Sequence, residues 1–139
     1  MIFFKDKEIL KSFSYIEYFP FWEKTIADIP EMLSRIISNL IIKNGNNLEQ
    51  VDYIAAAITA ELSDAFQTKR EGILTIIKAL KQVFDEKKIF FINNENSFTD
   101  YKSAIANYLK IMAANLVSTS LFLGRFISTC VLIDAGSTT

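Results

Sequence analysis

Histidine is absent from the 139 residues, and cysteine occurs once, at Cys130. The first absence excludes His-based triads, histidine general bases and most zinc sites. The second excludes an internal disulfide, and Cys130 within an apolar run reads as an inert small hydrophobe. Neither sign of charge dominates: 15 Lys and Arg stand against 16 Asp and Glu, for a net charge of -1. Such a balance gives no electrostatic reason to expect nucleic acid or an anionic membrane as partner. No basic n-region followed by an apolar h-region opens the chain, so a cytoplasmic, reduced setting is expected. One long hydrophobic run does occur, at residues 111–133, "IMAANLVSTSLFLGRFISTCVLI". It has the length of a bilayer span, but it carries Asn115, Arg125 and several hydroxyls, and a central Arg costs about 2.5–3.5 kcal/mol in lipid. Its pattern also changes near Phe126 from helical to continuous and β-like, so a buried helix followed by a buried strand is expected instead.

What is present is ordinary globular composition, half apolar and 22% charged, at a length that suits one domain with a real core. "IFFKDKEIL" at the start reads as a hairpin turning at Asp6-Lys7, and Phe13 and Tyr15 share one face of the strand that follows. Asp28-Ile29-Pro30 starts a helix, with Asp28 as cap and the proline in the first turn, where its missing N–H does no harm. Ile29, Leu33, Ile36 and Leu40 form its stripe, widened by Met32 and Ile37, and Gly45 marks a stop. Residues 51–59, "VDYIAAAIT", read as a buried strand. Thr68 and Glu71 have capping-box spacing ahead of a helix whose core face is Ile73, Ile76, Ile77, Leu80, Val83 and Phe84. "KIFFI" at 88–92 is another buried strand. Asp100 then caps a long helix to about Phe126, with Ile105, Leu109, Met112 and Leu116 on one face, before a last strand at 129–134. The order β-β-α-β-α-β-α-β predicts an α/β fold with a mixed, mostly parallel sheet and helices on its faces.

In open α/β sheets, ligands sit outside the carboxyl ends of the strands. Three segments qualify: "TAELSDAF" with Thr59, Glu61, Ser63 and Asp64; "NNENS" after 88–92; and Asp134-Ala135-Gly136-Ser137-Thr138-Thr139. In the third, Gly136 permits the bend that points successive N–H groups at a phosphate. Ser137, Thr138 and Thr139 add hydroxyl donors, and Asp134 suits Mg²⁺ held through water. The same residues equally describe a strand ending in an ordinary glycine turn. Glu61 and Asp64 are spaced as a carboxylate pair, or as a polar loop before a solvated helical turn. Asn115 stands alone among apolar neighbours and reads as a packing amide bonded to nearby backbone. The aromatic cluster from Tyr15 to Trp22 reads as core packing.

The segments "AAAITAELSDAFQTKREGI" (55–73), "YKSAIANYLKIMAANLVSTSLFL" (101–123) and "CVLIDAGSTT" (130–139), in this order, resemble the tetrahydromethanopterin-linked C1-transfer pathway proteins. "YFPFWE" at 18–23 is similar to that family's strand-to-helix junction. The family resembles the hydantoinase A/oxoprolinase-like group of the actin-like, ribonuclease H-like ATPase superfamily. In archaea it looks like the methanofuran-biosynthesis enzyme that joins an aminomethylfuran diphosphate to glutamyl-tyramine.

The resemblance implies a transferase that releases pyrophosphate from a small phosphorylated substrate. Gly136, Ser137, Thr138 and Thr139 would bind the diphosphate, with Mg²⁺ near Asp134. Glu61 or Asp64 would orient the amine or accept the phenol proton, and a base for a phenol needs the raised pKa that burial supplies. An ATP-dependent kinase or hydrolase of the same superfamily, or a non-catalytic structural piece, are the alternatives. The family's D-x-G-G loop and first strand do not precede Met1, its second domain does not follow Thr139, and Leu116 replaces a usual Trp. The expectation is therefore a fragment, inactive alone: residues 1–128 form an incomplete first domain, and 129–139 supply the first strand and phosphate loop of the second. The strand at 129–134 is expected to fill the place of the missing strand, parallel to both neighbours, because an open gap would bury unpaired N–H and C=O groups.

Overall fold

The computed structural model describes residues 1–21, 23–45, 47–60 and 63–133. They fall into two compact units, Met1–Asp52 and Tyr53–Thr139.

The first unit opens with the predicted hairpin, β1 (Ile2–Lys5) antiparallel to β2 (Glu8–Ser12). Asp6 and Lys7 both have positive φ, 51° and 70°, which is the geometry whose twist matches a two-residue hairpin. A bulge between Phe3 and Phe4 shifts the register. Just beyond β2 the Phe13 N–H still donates to the Met1 carbonyl at 2.8 Å. The chain then runs on outside any strand, and Phe13, Tyr15, Glu17 and Phe19 alternate as half-buried positions while Ile16 is 92% exposed. Two contacts tie this segment to helix α1 (Ile29–Ile42): Arg35 donates to Glu17 at 2.6 Å, and the Lys43 ammonium sits 5.2 Å from the Tyr15 ring centroid. Asp28 does not cap α1 as expected. Its carboxylate turns back to accept the Thr25 N–H (2.8 Å) and hydroxyl (3.0 Å), closing a box around a short 3-10 turn that feeds the helix. The predicted stripe of α1 is real but shallow, with Ile29 alone fully buried.

The second unit carries a three-stranded sheet in the order β3-β4-β5. Strand β3 (Ile54–Ala56) runs parallel to β4 (Ile89–Ile92), and β5 (Phe98–Asp100) pairs antiparallel with β4. Helix α2 (Lys69–Val83) joins β3 to β4. Thr68 caps it by accepting the Glu71 N–H at 3.1 Å, while the Glu71 carboxylate accepts from Gln67 instead of closing a box on Thr68. Ile73, Ile77 and Leu80 are buried as the period predicts, against a core of Ile89, Phe91 and Ile92 from β4. Asp100 caps α3 (Tyr101–Ala106), accepting the Ser103 N–H at 2.9 Å.

Three expectations are corrected here. The single helix from 100 to 126 is broken into α3, a 3-10 turn at Tyr108–Ile111 and α4 (Asn115–Leu123). The Lys110 carbonyl, which a continuous helix would use internally, instead accepts the Asn94 N–H at 2.7 Å, and Ala113 turns the chain at φ 52°. The core face changes with it: Tyr101, Ala104, Ile111 and Ala114 are buried, whereas Ile105, Leu109 and Leu116 are exposed. Second, the loop after β4 returns as a strand, so the sheet has one antiparallel pair beside its parallel one. Third, the described part of the expected strand at 129–134 joins neither sheet, and Val131 and Ile133 are 87% and 81% exposed. Strand β5 already occupies the second edge of β4, and three-residue β3 offers too short a ladder to template a partner of that length. The molecule is thus mixed α/β, with the order β-β-α-β-α-β-β-α-α. Among the described residues no helix is long and apolar enough to cross a membrane.

Candidate functional site

Because β3 and β4 are parallel, their carboxyl ends lie at the same edge of the sheet. The loop after β3 and the turn after β4 therefore open on one side of the second unit, where the strand-end rule places a ligand.

In the first of these loops Ile58 and Phe66 are buried and anchor the segment between them. Turns close it locally: the Ser63 N–H donates to the Ala60 carbonyl at 3.0 Å, and the Phe66 N–H to the Ser63 carbonyl at 3.2 Å. Asp64 sits at the tip of this turn, exposed, with no partner for its carboxylate among the described residues. Taking a phenol proton calls for a desolvated carboxylate, and Asp64 is exposed to solvent. Glu61 lies outside the described residues.

The turn after β4 is organised by one buried side chain that sequence reasoning passed over. Asn93 is 5% exposed. Its Oδ1 accepts the N–H groups of Glu95 (2.9 Å) and Ser97 (3.0 Å), and its Nδ2 donates to the Ser97 hydroxyl at 2.9 Å. With Asn96 at φ 62°, these bonds reverse the chain into β5. An Asn two residues before a Glu and four before a Ser was the available signal, since asparagine side chains commonly mimic a backbone turn. Its amide is consumed by the fold, so "NNENS" is a structural turn and offers no free carboxamide from Asn93.

A third segment meets this edge. The 3-10 turn Tyr108–Ile111 is held to the β4 turn by the Asn94–Lys110 backbone bond and by a Lys110–Glu95 ion pair at 2.8 Å. Across from it, the Arg70 guanidinium in the first turn of α2 lies 5.7 Å from the Tyr108 ring centroid. Asn115 is half-buried at the start of α4, where its backbone carbonyl accepts the Ser118 and Thr119 hydroxyls at 2.9 and 3.0 Å.

The remaining candidates, Asp134, Gly136, Ser137, Thr138 and Thr139, lie outside the described residues, and Cys130 just before them is exposed. Among the described residues no group of three or more acidic or cysteine side chains is assembled that could hold a metal ion. The Mg²⁺ expected at Asp134 falls on a residue outside the described ones.

The chain is similar to the (4-{4-[2-(gamma-L-glutamylamino)ethyl]phenoxymethyl}furan-2-yl)methanamine synthase of Methanocaldococcus jannaschii, with 37% identity over 123 residues. The match covers 88% of this chain and 33% of the relative, so the chain spans about a third of that protein's length. No family model matches the chain, and neither does any solved structure.

Proposed function

We propose that this chain supplies part of a transferase that builds an aryl ether between a furanmethyl carbon and a phenol oxygen, in methanofuran biosynthesis. The observation that carries the reading is the 37% identity over 123 residues to a synthase named for such a phenoxymethylfuran product. The phenol oxygen of glutamyl-tyramine attacks the methylene carbon of an aminomethylfuran diphosphate. The new C–O bond forms as the carbon–diphosphate bond breaks, pyrophosphate leaves with the electron pair, and the phenol proton passes to a base. Glu61 is the base in this reading, and the exposed carboxylate of Asp64 orients the substrate ammonium. The turn Gly136–Thr139 takes the diphosphate through backbone N–H groups and hydroxyls, with Asp134 beside it as the residue for Mg²⁺. Residues 129–139 belong in this reading to a second domain of an actin-like, two-domain enzyme.

The test is product formation. The purified chain is incubated with the furan diphosphate and glutamyl-tyramine, alone and together with a polypeptide covering the rest of the relative's length. Negligible turnover alone, and one pyrophosphate released per aryl ether with the complement, is the expected result. ATP hydrolysis with no consumption of the furan compound would replace this reading with an ATP-dependent one.

A further inference from the structure

Resting on that reading, we propose that Arg70 is the cationic anchor for the diphosphate at the strand-end edge. The chain has three arginines. Arg35 is bound by two carboxylates, Glu17 at 2.6 Å and Glu31 at 2.9 Å, and Arg125 lies beyond α4. Arg70 differs from Arg35 in what holds it: the face of the Tyr108 ring, and no carboxylate among the described residues.

The difference matters chemically. A carboxylate neutralises a guanidinium and occupies its N–H fork. A ring face orients the guanidinium and leaves the charge and the in-plane N–H donors available. A departing diphosphate needs such a partner, because its negative charge grows as the carbon–oxygen bond breaks. The segment Gly136–Thr139 contains hydroxyls and backbone amides but no cation. The other charges at this edge are largely committed: Lys110 pairs with Glu95, and the Glu71 carboxylate accepts from Gln67. Lys69 stands beside Arg70 as a second cation, and Asp64 is the acid among the described residues of the neighbouring loop. Tyr108 is itself fixed, since its 3-10 turn is bonded to the β4 turn through Lys110 and Asn94. Arg70 is therefore held at the edge where β3 and β4 end, by a contact that leaves its charge unspent.

Inorganic pyrophosphate is the probe, titrated calorimetrically into the intact chain. Arg70→Gln is expected to weaken binding by about tenfold or more, and Arg70→Lys to recover part of the loss, as befits a charged bidentate contact. Tyr108→Phe keeps the ring face and is expected to bind like the parent, while Tyr108→Leu weakens binding by roughly threefold. Arg70 is exposed, so the melting temperature should not move and serves as the folding control. A parent chain that does not bind pyrophosphate, or an Arg70→Gln chain within about twofold of the parent, overturns the inference. Ether formation is a separate readout: its absence alongside Arg70-dependent pyrophosphate binding would overturn the synthase reading and leave Arg70 as an anion anchor.

Discussion

Asn93 shows what a polar side chain must do to enter this core. Both ends of its carboxamide are engaged, Oδ1 by two backbone N–H groups and Nδ2 by the Ser97 hydroxyl. Asn93→Ala should cost about 1–3 kcal/mol, the penalty of leaving such groups unpaired, read as a lower urea midpoint with an unchanged slope. Ser97→Ala removes one of the contacts and should cost less. Asp100 illustrates a charge used at the surface. The Ser103 backbone N–H, and then its hydroxyl, hold the Asp100 carboxyl below its usual value, and the Thr25 N–H and hydroxyl do the same for Asp28. A carboxyl lowered on folding stabilises above its unfolded value, 3.8 here, and the contribution is lost as pH falls through the folded value. Melting temperature should therefore fall as pH drops from about 4.5 towards about 2. Asp100→Asn, which keeps a cap but removes the charge, should flatten that acid limb. An unchanged limb in the Asn variant would show that other carboxyls govern it.

Elements whose signals are local were legible in the sequence, and those settled by distant contacts were not. The hairpin turn at Asp6-Lys7, the Thr68 cap, the Asp100 cap and the buried faces of α2 and β4 all follow from residues within a few positions of one another. The stretch 100–126 has a sound helical period, yet the bond from Asn94 to the Lys110 carbonyl pulls a 3-10 turn out of it. Nothing in the period announces that bond. The expected strand at 129–134 failed for a related reason: an apolar run specifies a strand only if an edge is free to receive it. Asp64 was legible only as a residue of the loop after a strand, and it does lie in the loop that follows β3. Arg70 and Tyr108 were missed because their meeting requires the break in the helix. The break itself is testable. Ala113 holds φ 52°, a conformation that burdens any residue with a Cβ by about 1–2 kcal/mol. Ala113→Gly should raise stability by about 0.5–1 kcal/mol once glycine's extra unfolded-state freedom is deducted. If 100–126 formed one helix in solution, the same substitution would destabilise by about 1 kcal/mol, so the sign of the change decides between the two.

At the scale of the whole molecule, the core is distributed unevenly. Among the described residues every fully buried hydrophobic side chain except Ile29 belongs to the unit Tyr53–Thr139. That unit joins a parallel strand pair through a capped helix and seats Ile73, Ile77, Ile89, Phe91 and Ile111 at 1% exposure or less. The unit Met1–Asp52 has a two-stranded hairpin with Ile2, Phe4, Ile9 and Leu10 all more than half exposed, and a helix buried on a shallow stripe. A lone hairpin is marginal in water, and a segment of this size buries too little apolar surface to offset the entropy of ordering it. Residues 53–139 produced alone should therefore melt cooperatively, near the temperature of the intact chain, by circular dichroism. Residues 1–52 alone should give no cooperative transition. In the intact chain, limited proteolysis should cut first before Tyr53, because local opening costs least where the fewest side chains are buried. A cooperative melt of 1–52 on its own would mean that its exposed apolar residues find partners in solution, through self-association, which a concentration-dependent melting temperature would reveal.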